Sequence, residues 1–430
     1  MSLAEVRLWG ETIGAVRWDA DQELGFFEYT PEFRADGLQV APLTLPLDPR
    51  IYSFPELERR TFHGLPGLLA DSLPDRFGNA LIDAWLQRRG RPPGDLDPVE
   101  RLCYIGRRGM GALQFEPATG PEPASDDAVE VDRLASLASE ILTNRSELGG
   151  QLDAEGMAQI LRVGTSAGGA RAKAVISWNP ATNEVRSGQL DLPPGFEHWI
   201  LKFDGVSGNR DKEADDPVGF GRIEFAYSEM ARAAGIEMAE CRVHATGEHA
   251  HFMTRRFDRT VDGGRIHMLS LGAVAHFDYN MPGGYSYEQA FSVVERLGLP
   301  AASREQLFRR MVFNLVARNQ DDHVKNTAFL MDEAGSWTLS PAFDVTYSYN
   351  PEGRFTSQHQ MTVNGRRTEF VLDDLVEASK HALLPRGRAK RILGQCVDVV
   401  SQWSEFAAGA EVPEDAASRI AAAHRLRWHG

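Results

Sequence analysis

The run Arg318-Asn319-Gln320-Asp321-Asp322-His323-Val324-Lys325-Asn326 crowds carboxylates, amides, an imidazole and two cations into one short stretch. Aspartate and asparagine oxygens suit hard cations, and an aspartate in the same loop can take a proton. The apolar run Met311 to Ala317 precedes it and Thr327 to Met331 follows. Buried helix, polar loop, strand is how a rigid scaffold presents chemistry on a connection, with a solvated surface loop as the competing reading. Downstream, Ser340-Pro341-Ala342-Phe343-Asp344-Val345-Thr346 follows a strand-like Ser336 to Leu339. If that strand pairs with Phe329 to Met331, Asp344 comes beside Asn326. One carboxylate and one amide oxygen fit a Mg²⁺ ion that must also hold phosphates and waters. Asp321 is then free to accept a hydroxyl proton, and phosphoryl transfer asks little more than positioning and charge neutralisation. Asp344 alone could equally be a turn or capping residue.

Those side chains need elements to hold them. Residues 5 to 29 alternate in the strand manner, with breaks at Gly10-Glu11, Asp19-Ala20-Asp21 and Gly25, and predict a small β-meander. Between Phe62 and Gly78, prolines and glycines set a tight path into a helix near 80–86. Asp71 and Asp75 fit helix caps there better than a catalytic group with His63. Gly106 to Phe115 is a Gly-rich turn into a strand, with no helix behind it to offer N–H groups to a phosphate. Pro117 to Asp127 reads as a linker, and a helix follows over 131–142. The second Gly-rich stretch, Arg162 to Lys173, runs into a strand at 174–178 rather than a helix, so it is no Walker loop. It is either a hairpin without a ligand or a kinase-style phosphate cover.

His198 to Phe203 is an apolar strand interrupted by Lys202. That lysine either snorkels to solvent or meets nucleotide phosphates. The amphipathic helix near 223–234 carries Glu224, placed either for Lys202 or for water. Strands at 241–244 and 251–254 lead into Arg255-Arg256-Phe257-Asp258-Arg259, and helical patterns follow near 287–297, 304–317, 370–380, 386–403 and 414–425. The expected fold is α+β: a β-rich accessory domain over 1–120, a nucleotide-binding β-lobe over 121–255, and an α-helical lobe over 256–430, with a hinge near 255–260.

The composition narrows the function classes. At 430 residues, with 42% hydrophobic and 25% charged residues, the chain can build real cores. A formal net charge of −15 opposes unaided binding to DNA or an anionic membrane. The three cysteines, Cys103, Cys241 and Cys396, form neither a disulfide framework nor a metal knuckle. Without a signal-like start or a membrane-length apolar run, a cytoplasmic protein is expected.

Four motifs together resemble the HipA-type serine/threonine kinases, toxins of bacterial type II toxin–antitoxin modules. They are Asn319-x-Asp321-Asp322-His323-x-Lys325-Asn326, Pro341-x-x-Asp344-Val345, Arg256-Phe257-Asp258-Arg259 and Ser166-x-Gly168-Gly169-Ala170-Arg171-x-Lys173. The meander, the segment from Leu65-Pro66 to Gly78 and Gly109-x-Gly111-Ala112-Leu113 resemble that family's N-terminal domain. The resemblance implies a two-lobed protein-kinase-like fold and ATP and Mg²⁺ as cofactors. It implies Asp321 as catalytic base, Asn326 and Asp344 as Mg²⁺ ligands, and Lys202 on the ATP phosphates. It also implies Phe257 with its neighbours Arg256 and Asp258 as the hinge beside adenine, His323 near the nucleotide, and Ala167, Gly168 and Gly169 around the phosphates. Ser166, or the adjacent Thr165, matches an inhibitory autophosphorylation site, where roughly −1.5 to −2 charge would occupy the phosphate position. The implied partners are a translation-related protein substrate of the aminoacyl-tRNA synthetase type and a helix-turn-helix antitoxin that carries most of the DNA contact. Two alternatives stand beside it. One is a metal-dependent phosphodiesterase using Asp321, Asp322 and His323, with His359 and His381 as the only further ligands nearby. The other is a non-enzymatic co-repressor of the antitoxin.

Overall fold

A computed structural model describes residues 2–121, 128–143, 154–163, 171–189, 191–206 and 219–429. Near the N-terminus, β1 (Leu3–Leu8), β2 (Glu11–Asp19) and β3 (Leu24–Tyr29) form the expected antiparallel meander. Ala4, Val6 and Leu8 alternate inward, as a sheet with one buried face requires. β4 (Leu113–Glu116) returns to pair with β1, Leu8 lying opposite Leu113. The connection between β3 and β4 contains the helices Arg76–Arg88 and Pro98–Ile105.

A second sheet contains β5 (Lys173–Trp178), β6 (Val185–Ser187), β7 (Glu197–Lys202), β8 (Cys241–Thr246) and β9 (His249–Arg255), in the order β6-β5-β7-β9-β8. All its pairings are antiparallel, with β7 central. The helix Phe220–Ala233 lies on β8 and β9 and buries Ile223, Ala226, Tyr227, Met230 and Ala231. That i, i+3, i+4 spacing is one continuous apolar stripe. On this sheet's other core, Ile176, Trp178, Trp199 and Leu201 pack with Phe77 and Leu81 of helix Arg76–Arg88 and with Leu134, Ala138 and Ile141 of helix Val131–Thr143. A helix from the first 120 residues therefore shares a core with the second sheet.

Beyond residue 256 the helices that the periodicity predicts are Tyr287–Arg296, Ala301–Ala317, Leu372–His381, Arg388–Val400 and Glu414–Ala423, and Trp403–Gly409 is one that it does not. A three-stranded antiparallel sheet joins β10 (His267–Ser270), β11 (Ala328–Met331) and β12 (Trp337–Leu339), and the departure from expectation is β10. The β11–β12 hairpin is the one expected from the sequence, with Phe329 opposite Leu339. One large core joins the N-terminal sheet, helix Phe220–Ala233 and the C-terminal helices. Among the described residues no helix is long and apolar enough to cross a membrane.

Candidate active site

The site is built around the last residue of β7. The β5–β7 register sets Lys202 directly opposite Lys173, so both side chains leave the same face of the sheet. Like charges placed that way repel unless each finds its own counter-ion. Lys173 has Asp75 at 3.2 Å. Lys202 has Glu224 of helix Phe220–Ala233 at 2.5 Å and also donates to Asp344. Glu224 uses its second oxygen on Arg171, 3.0 Å away. Burial works against the Lys202 ammonium, but Asp344 and then Glu224 outweigh it and hold its pKa above the ordinary lysine value. The same pairing, reinforced by Lys173 and His323, overcomes burial at Asp344 and keeps its carboxyl below the usual aspartate range.

Asp344 reaches this point because the chain before it is pinned on three sides. Arg310 donates to Ser340 O at 2.6 Å, Ala342 N–H donates to Glu237 O at 2.7 Å, and Ala239 N–H donates to Ala342 O at 3.1 Å. Phe343 packs on Phe257 with ring centroids 5.4 Å apart. Asp344 itself takes a left-handed φ of 53°, a conformation more tolerable for Asp than for most non-glycine residues.

The polar loop has equally specific supports. Helix Ala301–Ala317 ends when Arg318 turns left-handed at φ 59° and returns its N–H to Asn314 O. Asn319 donates to the Asn314 side chain at 3.0 Å, and the Arg318 guanidinium lies 4.5 Å from the Tyr349 ring centre. A 3₁₀ turn, Val324–Asn326, closes the loop, and Asn326 Nδ2 donates to Asp321 O at 2.8 Å. That bond orients the amide and leaves Oδ1 as its acceptor end. The Asp321 side chain is 49% exposed, with Oδ1 3.7 Å from His323 Nε2. Asp322, beside it, is buried and fully engaged: Tyr287 OH and His359 Nδ1 both lie 2.9 Å from Oδ2, and Gln360 N–H donates to Oδ1 at 2.7 Å.

Arg256 and Asp258 are buried in a knot with Arg259: Arg256 donates to both oxygens of Asp258 at 2.9 and 2.7 Å, and Gly111 N–H reaches Asp258 at 2.7 Å. Arg259 donates to Asp258, Gly109 O and Gly111 O. The Gly109–Gly111 turn thus serves as a backbone receptor for this connection. Thr165, Ser166, Ala167, Gly168 and Gly169 lie outside the described residues. Asp75 caps helix Arg76–Arg88 through Gly78 N–H, as expected, and pairs with Lys173 as well. Asp71 departs from its expected capping place. It sits at the C-terminal end of the short helix Gly67–Ala70 and accepts from Ser270 N–H and Oγ, both at 2.8 Å. Sequence reasoning gave no role to Tyr287, Lys173 or Asp75 at this site. Only the strand register, which puts Lys173 opposite Lys202, could have drawn in the second lysine.

A central lysine is thus held by a helix glutamate and by an aspartate a few residues past the β11–β12 hairpin. The chain matches the HipA N-terminal domain over residues 4–116 and the HipA-like C-terminal domain over residues 165–403. It belongs to the HipA family. Two relatives come from Sinorhizobium fredii, and their names assign them as kinases only provisionally. Y4mE is 26% identical over 374 residues, covering 80% of this chain and 77% of its own length. Y4dM is 22% identical over 335 residues, covering 73% and 71%. The fold is shared with HipA of Shewanella oneidensis MR-1, solved in complex with HipB and its operator DNA. That likeness has a TM-score of 0.69 at 19% identity and covers 97% of this chain and 94% of that one.

Proposed function

We propose that this protein is a serine/threonine protein kinase of a toxin–antitoxin pair, with two lobes divided near residues 255–260. The observation that carries the reading is Lys202, whose single ammonium meets Glu224 from the helix and Asp344 from the chain that follows β12. A kinase needs that lysine–glutamate pair and that aspartate together. The donor set also fits Mg²⁺, since Asp344 supplies a carboxylate and Asn326 an amide oxygen oriented by its bond to Asp321 O. Asn326 and Asp344 would hold the ion, which when bound neutralises charge on the phosphate oxygens. Lys202 would hold ATP phosphates and release Asp344 to the metal. Asp321, the exposed carboxylate of the loop, would accept the proton of the substrate hydroxyl as the γ-phosphoryl group passes to its oxygen, leaving ADP. Phe257 would border adenine, and His323 would lie near the phosphates. Arg256 and Asp258 would act through the shape of the hinge, because their charged groups are taken up by each other.

Asp322 and His359 are spent on each other in the interior, which weakens the phosphodiesterase alternative that would need them as metal ligands. The implied protein substrate is translation-related, and Ser166 or Thr165 would be the self-inactivating acceptor. The Shewanella protein was solved with HipB and operator DNA, so a DNA-binding antitoxin is the proposed partner here. With a net charge of −15, this chain would leave most DNA contact to that partner. Incubation with γ-labelled ATP and Mg²⁺ tests the central claim. The folded protein should acquire label on Ser166 or Thr165, and Asp321→Asn should reduce the rate at least about 100-fold. Folded protein that takes no label with any divalent metal would defeat the reading.

A further inference from the structure

The buried side of the polar loop has a task that the proposed chemistry does not use. Asp322 is 1% exposed at its side chain, and every grip on it comes from outside the loop. Tyr287 opens helix Tyr287–Arg296, whereas His359 and Gln360 belong to the irregular segment 345–370 that follows Asp344. The Asp322 carboxyl is held below its usual range because His359, Gln360 N–H and Tyr287 together outweigh burial. A carboxylate oxygen accepts, so Nδ1 is the edge of His359 that faces Asp322 as the donor, 2.9 Å away. The segment is itself fastened to helix Tyr287–Arg296 and to the strand of chain before it: Tyr287 N–H donates to Thr362 O at 3.0 Å and Gly283 N–H to Gln360 O at 2.8 Å. At its near end Ser348 N–H donates to Arg318 O at 3.1 Å.

Resting on the kinase reading above, we propose that Asp322 is a positioning residue through which segment 345–370 sets the register of Asp321, with His359 as the decisive contact. Asp321 is caught between two fixed points. Its carbonyl is held by Asn326, and the next residue is clamped through three hydrogen bonds in the interior. A buried, hydrogen-bonded carboxylate stabilises a fold poorly compared with well-packed apolar groups, but it specifies register. Register is what a proton acceptor needs, since a shift of about 1 Å can cost roughly 100-fold in rate. The segment that follows the metal-binding aspartate and the loop that carries the base thus move as one body.

His359→Leu and His359→Asn in the full-length protein test this, the asparagine being able to restore an N–H near the Nδ1 position. The leucine variant should lose about 10- to 100-fold in kcat while the KM for ATP stays within about threefold. Its backbone amides over 319–326 should exchange faster with deuterium, and those of 197–202 should not change. Asparagine should recover most of both losses. A folded His359→Leu protein with wild-type kcat and wild-type exchange over the loop overturns the proposal. Tyr287→Phe, which removes one hydroxyl and little packing, carries the same test if the leucine variant does not fold, and unchanged kcat and exchange there overturn it equally. If the wild type transfers no phosphate, the kinase reading falls by itself, and the exchange comparison alone decides this inference.

Discussion

At the scale of single residues, Lys202 does two things that normally compete. It compensates two carboxylates, Glu224 and Asp344, and it is the cation proposed to receive phosphate. Lys202→Met should leave those carboxylates without their shared cation and cost about 3 kcal/mol in urea unfolding. It should also weaken ATP binding at least about tenfold by calorimetry. Lys202→Arg should not restore binding, because a planar fork cannot replace a compact ammonium between two acceptors. Wild-type affinity in Lys202→Met would remove the lysine from the site. The candidate site was legible in the sequence where polar residues broke apolar runs: Lys202 in its strand, and Asp321, Asn326 and Asp344 beside theirs. It was illegible where a partner arrives from far along the chain. Asp75 meets Lys173, and His359 meets Asp322, only once separate elements have packed, and neither pair leaves a local pattern.

At the scale of elements, helix Phe220–Ala233 delivers Glu224, and a glycine decides how closely it can do so. A Cβ on Gly221 would stand 1.9 Å from Ala250 O and 3.0 Å from Phe252 N, so the start of the helix lies directly on the backbone of β9. Gly221→Ala must push the helix off that strand, which should cost about 1–3 kcal/mol. Since Glu224 is one turn further on, the KM for ATP should rise by about tenfold, while the unfolding midpoint in denaturant falls. An alanine variant with unchanged midpoint and KM would show that the close approach is not required. This helix and the strands around it were readable from period and punctuation, and so were the pairings of neighbouring strands, whereas pairings between strands far apart in the chain were not. Leu8 pairs with Leu113 although two strands and five helices lie between them in the chain, and β10 lies in a stretch that reads as helical because its few residues are followed at once by the helix Leu271–Ala275. Strand pairing is a non-local choice made by the core.

At the scale of the whole molecule, the first 120 residues are attached to the rest through polar contacts that are partly or fully buried. Asp71 binds Ser270, Trp9 Nε1 donates to Arg265 O at 2.7 Å, and Asp75 binds Lys173. A further attachment is Asp258 with Arg256, Arg259 and the Gly109–Gly111 turn, the three charged side chains being buried. Burial alone would raise the Asp258 pKa, but Arg256 and Arg259 drive it well below the ordinary 3.8. A depressed folded-state pKa means that the carboxylate's contribution is fully present above the unfolded value and lost as pH falls through the folded one. Asp258→Ala should therefore cost about 3–5 kcal/mol at pH 7, because it leaves two guanidinium groups buried without their carboxylate. Asp258→Asn should lose less packing but the same charge, and its stability should fall less steeply than that of the wild type between about pH 4 and pH 2. Asp322 and Asp344 also have depressed pKa values, so the asparagine variant should keep part of the acid sensitivity. Urea unfolding of both proteins across that pH range supplies the check. Parallel curves would mean that the knot holds by shape alone, whereas converging curves would show that charge binds the Gly109–Gly111 turn to the connection carrying Phe257.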